Sequence, residues 1–148
     1  MDEQAFKQRY NQHNAQPCIF EKALLTRCYQ CQQHQRIMIA GREGMACQSV
    51  AGRQMCQRLY HQLKQHANFS LGLTQIGDTL PHGKQMKLLC GGLNGIKVLL
   101  APDKQSDNIY QLLQTIQQHY GDLDAVPYNE VVKSVTQYQG RKRHRKRK

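Results

Sequence analysis

The reading of this chain turns on residues 27–56, RCYQCQQHQRIMIAGREGMACQSVAGRQMC. Four cysteines fall in that stretch. Cys28 and Cys31 form a C-x2-C pair, Cys47 follows after a gap of 15 residues, and Cys56 after a further gap of 8. Thiolates bind soft and borderline metals, and four of them can enclose one tetrahedral zinc or one iron–sulfur cluster. The spacing therefore nominates Cys28, Cys31, Cys47 and Cys56 as metal ligands, tying together segments that only folding can join. Two plainer readings compete. Cysteine often serves as a small buried hydrophobe, and paired cysteines form disulfides in an oxidising compartment.

Working outward, Ser49 is a good N-cap for a helix from about Val50 to Asn68. Its apolar positions Cys56, Leu59, Tyr60, Leu63 and Ala67 recur at helical spacing. Cys47 then lies just before a helix N-terminus, where free N–H groups and a partial positive charge favour thiolate and a bound anionic cluster. That feature tips the expectation toward a 4Fe–4S cluster, with zinc second. Against a zinc ribbon, no Gly or Pro flanks the C-x2-C pair and no second C-x2-C follows. His34, three residues past Cys31, is an alternative ligand that reads better as an exposed polar residue. Cys18, at the start of an expected helix to about Arg27, reads as core, with a spare ligand as its alternative. Cys90 is too isolated to assign.

The rest of the chain reads as mainly α. Residues 2–15 suit a short polar helix, and residues 33–40 suit another, with Ile37, Met38 and Ile39 apolar. Residues 69–84 read as a loop or lid. The apolar runs Met86–Cys90 and Ile96–Ala101, around GGLNG, suggest a β-hairpin near 86–100, or a strand and a short helix. Gly91-Gly92 reads as a turn, since its spacing matches no phosphate-binding fingerprint. Asp107 is expected to cap a helix to about Tyr120, stopped by Gly121. Pro127 starts the last helix to about Tyr138, with Val131, Val132 and Val135 buried and Gly140 ending it.

The expected organisation is one small metal-stabilised helical domain, 1–140, and a disordered basic tail, 141–148. The 148 residues contain no Trp and three Phe, with a mean hydropathy of −0.72, so the core is thin and a metal cross-link would matter. The formal charge is +11, but Arg141, Lys142, Arg143, Arg145, Lys146, Arg147 and Lys148 supply seven of the positive charges. Those seven are the expected contacts to nucleic acid or another polyanion, made through phosphates without reading sequence. An acidic protein or anionic membrane surface is the alternative partner. The N-terminus lacks the pattern of a signal peptide, and no apolar stretch is long enough to span a bilayer. The expectation is a cytoplasmic protein whose cysteines are ligands or free thiols.

The segments CIFEKALL, REGMACQS and LPHGKQMKLLCGGLNGI resemble parts of a group of small uncharacterised proteobacterial proteins with four spaced cysteines. The resemblance covers most of the chain up to the tail and implies no particular activity. No H-E-x-x-H, G-x-S-x-G or zinc-deaminase motif is present, and no carboxylate pair stands out. The chain reads as a non-catalytic iron–sulfur carrier in electron transfer, sensing or complex assembly. Its rivals are a zinc-stabilised RNA- or DNA-binding module and a small thiol redox protein using Cys28 and Cys31.

Overall fold

The computed structural model describes residues 3–72, 80–100 and 107–139. The basic tail, Gly140 as a helix stop, and the middle of the 69–84 loop lie outside the described residues.

The chain opens with α1 (Glu3–His13) and a one-turn α2 (Glu21–Leu25), shorter than its sequence pattern suggests. An antiparallel hairpin follows, β1 (His34–Ile39) and β2 (Arg42–Cys47). The helix expected over 33–40 is thus a strand. Ile37 and Ile39 alternate with the exposed Met38, and β-branched residues at period two favour a half-buried strand. The turn explains the rest. Ala40 and Gly41 both have positive φ (51° and 82°), as the tight two-residue hairpin turn that matches strand twist requires.

β2 has partners on both edges. Its residues pair with β1 from His34↔Cys47 to Ile39↔Arg42. On the other side Pro17 bridges Ala46, Cys18 N–H donates to Met45 O at 3.0 Å, and Cys47 N–H donates to Gln16 O at 2.8 Å. The Glu21 carboxylate accepts from Met45 N–H at 2.8 Å and from the Tyr10 hydroxyl at 2.6 Å, fastening α1 and α2 to the same strand.

Then comes α3 (Val50–Ala67), capped as expected by Ser49, whose Oγ accepts from Gly52 N–H at 2.9 Å. It buries Cys56, Leu59, Leu63 and Ala67. Residues 82–100 are helical throughout: α4 (His82–Met86), a π-turn (Lys87–Gly91) and α5 (Gly92–Leu100). The hairpin expected near 86–100 is therefore absent, and the hairpin of this fold lies at 34–47. Nearly every side chain from Leu88 to Ile96 is buried. A helix buried all round loses its amphipathic signature, and its short apolar runs then resemble core strands.

α6 (Ile109–Tyr120) is capped by Asn108 rather than Asp107, and Gly121 closes it at φ 81°. α7 (Tyr128–Gln137) begins after Pro127 and buries Val131 and Val135, with Val132 half-buried. α3, α5, α6 and α7 pack around one core with Leu63, Leu93, Ile96, Leu113 and Ile116 near its centre.

GGLNG is a helix crossing rather than a turn. Gly91 and Gly95 lie about one helical turn apart against α7. A Cβ on Gly91 would come 2.8 Å from Val135 Cα, and one on Gly95 would come 2.9 Å from Val131 O. Backbone meets backbone there, so nothing flexible can give way. Gly95→Ala should cost ~1–3 kcal/mol of stability through overpacking, although helix propensity alone would stabilise it by ~1 kcal/mol. Denaturant unfolding reads the sign, and a stabilised variant would show that the crossing is looser than described.

Candidate metal centre

The hairpin closes the 15-residue gap between Cys31 and Cys47. His34 pairs with Cys47, His34 N–H returns to Cys31 O at 3.1 Å, and Gln48 N–H donates to Gln33 O at 2.8 Å. The bridge on the far edge of β2 delivers Cys18. The second turn of α3 delivers Cys56. Cys18, Cys31, Cys47 and Cys56 line one small cavity of about 10 Å³, together with Phe20, Gln33, His34, Arg53 and Ile109. That volume is about one water-sized sphere. All six cysteines are free thiols.

Three of the four nominated cysteines are thus brought together, and Cys28 is not among them. It lies beside Thr26 Oγ1 (3.3 Å) and the Tyr138 hydroxyl (3.4 Å), hydrogen-bonded to Cys90 as well. The chain between Cys28 and Cys31 does not turn as a C-x2-C knuckle does. Gln30 is held extended by Asn108 and its neighbours, with Gln30 N–H donating to Asp107 O and Ile109 N–H to Gln30 O, both at 2.8 Å. Cys28 and Cys31 therefore face different neighbours, and the geometry does not form a dithiol from them.

The backbone N–H groups of Phe20 at Cys18, and of Gln33 and Tyr110 at Cys31, favour thiolate and partly oppose the effect of burial. Two of these donors lie two residues past the cysteine they serve. Tyr110 lies in the first turn of α6, where its N–H also donates to the Asn108 cap at 3.2 Å. Such donors stabilise sulfur when it is thiolate. They arise here from the α2 entry turn, the 31–33 turn and the α6 cap, so the missing Gly or Pro is no obstacle.

Burial works against ionisation of the bare thiols. It pushes Cys18 up to about 12, opposed by the Phe20 N–H. It raises Cys31 and Cys56 too, and neighbouring thiols add to the rise at all three. Arg53 partly opposes the rise at Cys56, and its Nε is fixed on Pro17 O at 2.7 Å. Cys47 Sγ donates to Ser49 O at 3.2 Å. His34 is exposed, with Nδ1 engaged by Cys31 O at 2.6 Å. Cys90 is buried in the core. Among the described residues, no three His, Cys, Asp or Glu side chains are arranged to hold a single metal ion.

Of the residues lining this cavity, Cys18 reads from the sequence as a spare ligand at most, and Arg53 carries no signal there. The signal for Cys18 was weak, because the bridge that docks it on β2 comprises only residues 16–18 and carries no strand-like pattern. The chain matches no family model, no curated protein and no solved structure. No helix among the described residues is long and apolar enough to cross a membrane.

The raised thiols have a measurable consequence. The folded chain binds the Cys18 proton more tightly than the unfolded chain, about 12 against 9.0. Its contribution to stability is whole below about pH 9 and is lost as pH rises toward about 12. The metal-free protein should therefore show a Tm that falls steeply across that window, and a flat profile would mean that these sulfurs are solvated.

Proposed function

We propose that this protein holds a 4Fe–4S cluster on Cys18, Cys31, Cys47 and Cys56, in a non-catalytic role of electron transfer, sensing or complex assembly. Its basic tail, Arg141–Lys148, binds nucleic acid or another polyanion. The observation that carries the metal half is the convergence of four thiols, from four separate segments, on one cavity. A cubane places an iron between each sulfur and the centre. Its ligating sulfurs therefore stand farther apart than those around a single ion. Arg53 and the N-terminus of α6 supply positive potential for the net negative charge of such a cluster. Four sulfurs close the shell, which favours electron storage or structure over hydrolysis. Ligation removes the thiol protons that burial holds in place, so loading releases protons and strengthens as pH rises.

One observation favours zinc as the second reading: the cavity, about 10 Å³, is nearer the size of a single ion. Against zinc, no two of these four cysteines lie within a C-x2-C spacing, the usual source of two sulfurs from one turn in small zinc domains.

Anaerobic purification with metal analysis and a visible spectrum separates these readings. The wild type should be brown and contain iron and sulfide. Cys18→Ala should lose the colour, and Cys28→Ala should keep it. A colourless protein with one zinc supports the second reading. Bleaching by Cys28→Ala but not by Cys18→Ala would return the site to the cysteines chosen by spacing. Separately, replacing the seven tail Lys/Arg residues by Gln should leave metal content unchanged and weaken salt-sensitive binding to polyanions.

A further inference from the structure

A second concavity lies apart from the thiols. It is an open cleft of about 1000 Å³ between the turn after α2 and the start of α4. Its floor is apolar, from Leu25, Leu71, Pro81 and Met86, while Arg27, His82, Lys84 and Lys87 bring positive or titratable groups to it. Among the described residues, no acidic residue lines it.

Among the described residues the charge in this cleft is uncompensated, for a reason visible elsewhere. Every acidic side chain among the described residues is engaged at another place. Glu3 pairs with Arg42, Glu43 with Arg36, Asp107 with Lys97, and Glu130 with Lys133. Asp122 and Asp124 both face Arg58. Glu21 is taken by Tyr10 and Met45 N–H. Among the described residues, Arg27, Lys84 and Lys87 form no ion pair.

Two further features point to one kind of ligand. Phe69, the residue before the cleft-lining Ser70, is 94 % exposed, far more than any other large hydrophobic residue among the described ones. The cleft is also lined by Tyr138 and Gln139, so the seven tail cations begin two residues beyond its wall. An apolar floor, uncompensated cations and an exposed aromatic ring suit unstacked bases strung on phosphates. They do not suit a duplex, whose bases are hidden in the stack.

We infer that this cleft binds single-stranded nucleic acid, with Arg27, Lys84 and Lys87 on its phosphates and Phe69 stacking on a base. The inference rests on the polyanion half of the proposed function and is independent of the metal half.

The test uses the full chain as isolated, with its metal content recorded for every variant. The probe is a fluorescein-labelled oligo(dT) or oligo(U) strand of about 20 nucleotides, long enough for any common single-strand site. Competitors are a duplex of the same length and vesicles rich in phosphatidylserine. The Arg27→Gln/Lys84→Gln/Lys87→Gln protein should bind the strand about tenfold or more weakly, with a log Kd against log salt slope shallower by about two. Lys7→Gln/Arg9→Gln/Lys22→Gln makes the same change in net charge on exposed residues outside the cleft, and should bind like the wild type. Phe69→Ala should weaken strand binding about tenfold without altering the salt slope. The tail-neutral variant should retain binding that the cleft substitutions then remove.

Equal losses from the cleft and control triples would overturn the cleft and leave only net charge acting through the tail. Preference for duplex or vesicle over the strand would overturn the inference by assigning the cations to another surface. No binding of any polyanion by the wild type would overturn it together with the polyanion half of the proposed function, leaving the metal result untouched. Circular dichroism matching the wild type separates these outcomes from misfolding, and single substitutions at Lys84 and Lys87 serve if the triple variant does not fold.

Discussion

Hydrogen bonding along both edges of β2 is the constraint on which the front half of the molecule depends. A two-stranded ribbon alone is marginal in water. Here β2 also receives residues 16–18, the Asn14 amide (3.1 Å to Met45 O) and the Glu21 carboxylate. Met45 is the centre of this arrangement: its N–H goes to Glu21, and its carbonyl accepts from both Cys18 and Asn14. These contacts tie α1, α2 and the hairpin to one another. They also deliver Cys18, Cys31 and Cys47 to one place before any inorganic centre is considered.

The back half obeys a different constraint, the close approach of α5 to α7. Gly91 and Gly95 let two backbones meet, while Gly92 accommodates Leu63 of α3 at a distance a Cβ would reduce to 2.8 Å. A chain with no Trp and three Phe fills its interior with Leu, Ile and Val side chains instead. Small helices crossing closely compensate for small side chains, because interior density must still reach that of a packed solid. The two halves meet along α3, whose N-terminal turns carry Cys56 toward the hairpin and whose later turns carry Leu59 and Leu63 into the core.

What was legible in the sequence follows from this division. α3, α6 and α7 each present one apolar face and one wet face, so their periodicity survives in the sequence, and Ser49 and Gly121 mark ends where the backbone demands those residues. The stretch Leu88–Ile96 is buried at every position but Asn94, so its apolar residues run on without a wet face to mark the helical period. β1 was hidden because three consecutive apolar residues, Ile37 to Ile39, look continuous until one knows that Met38 faces solvent. At the candidate centre, Cys31, Cys47 and Cys56 were visible because loop lengths of 15 and 8 can close over a hairpin and a helix turn. Cys28 was nominated on the premise that C-x2-C is a turn. That premise fails when Gln30 bonds sideways to the start of α6, a contact between residues 78 apart that no local pattern encodes.

The same displacement of Cys28 links the two sites in space. Residues 18–31 begin and end at the thiol cavity, yet their middle, Leu25 to Cys28, forms one wall of the cationic cleft. Tying Cys18 and Cys31 to a common centre would fix both ends of that segment. The entropy lost in holding its middle would then already have been expended when a strand arrives. Arg27, at the crown of the segment, sits at φ 66°, a conformation costing about 1–2 kcal/mol for a residue with a Cβ. A constraint at both ends is a physical means of holding such a residue in place. Were both proposed sites occupied, such coupling would be reciprocal, and whatever affinity the cleft gained from the centre would return as stability of the centre. The sequence does not announce this arrangement, because the residues that share the segment are assigned to different sites only by the direction in which extended chain turns them.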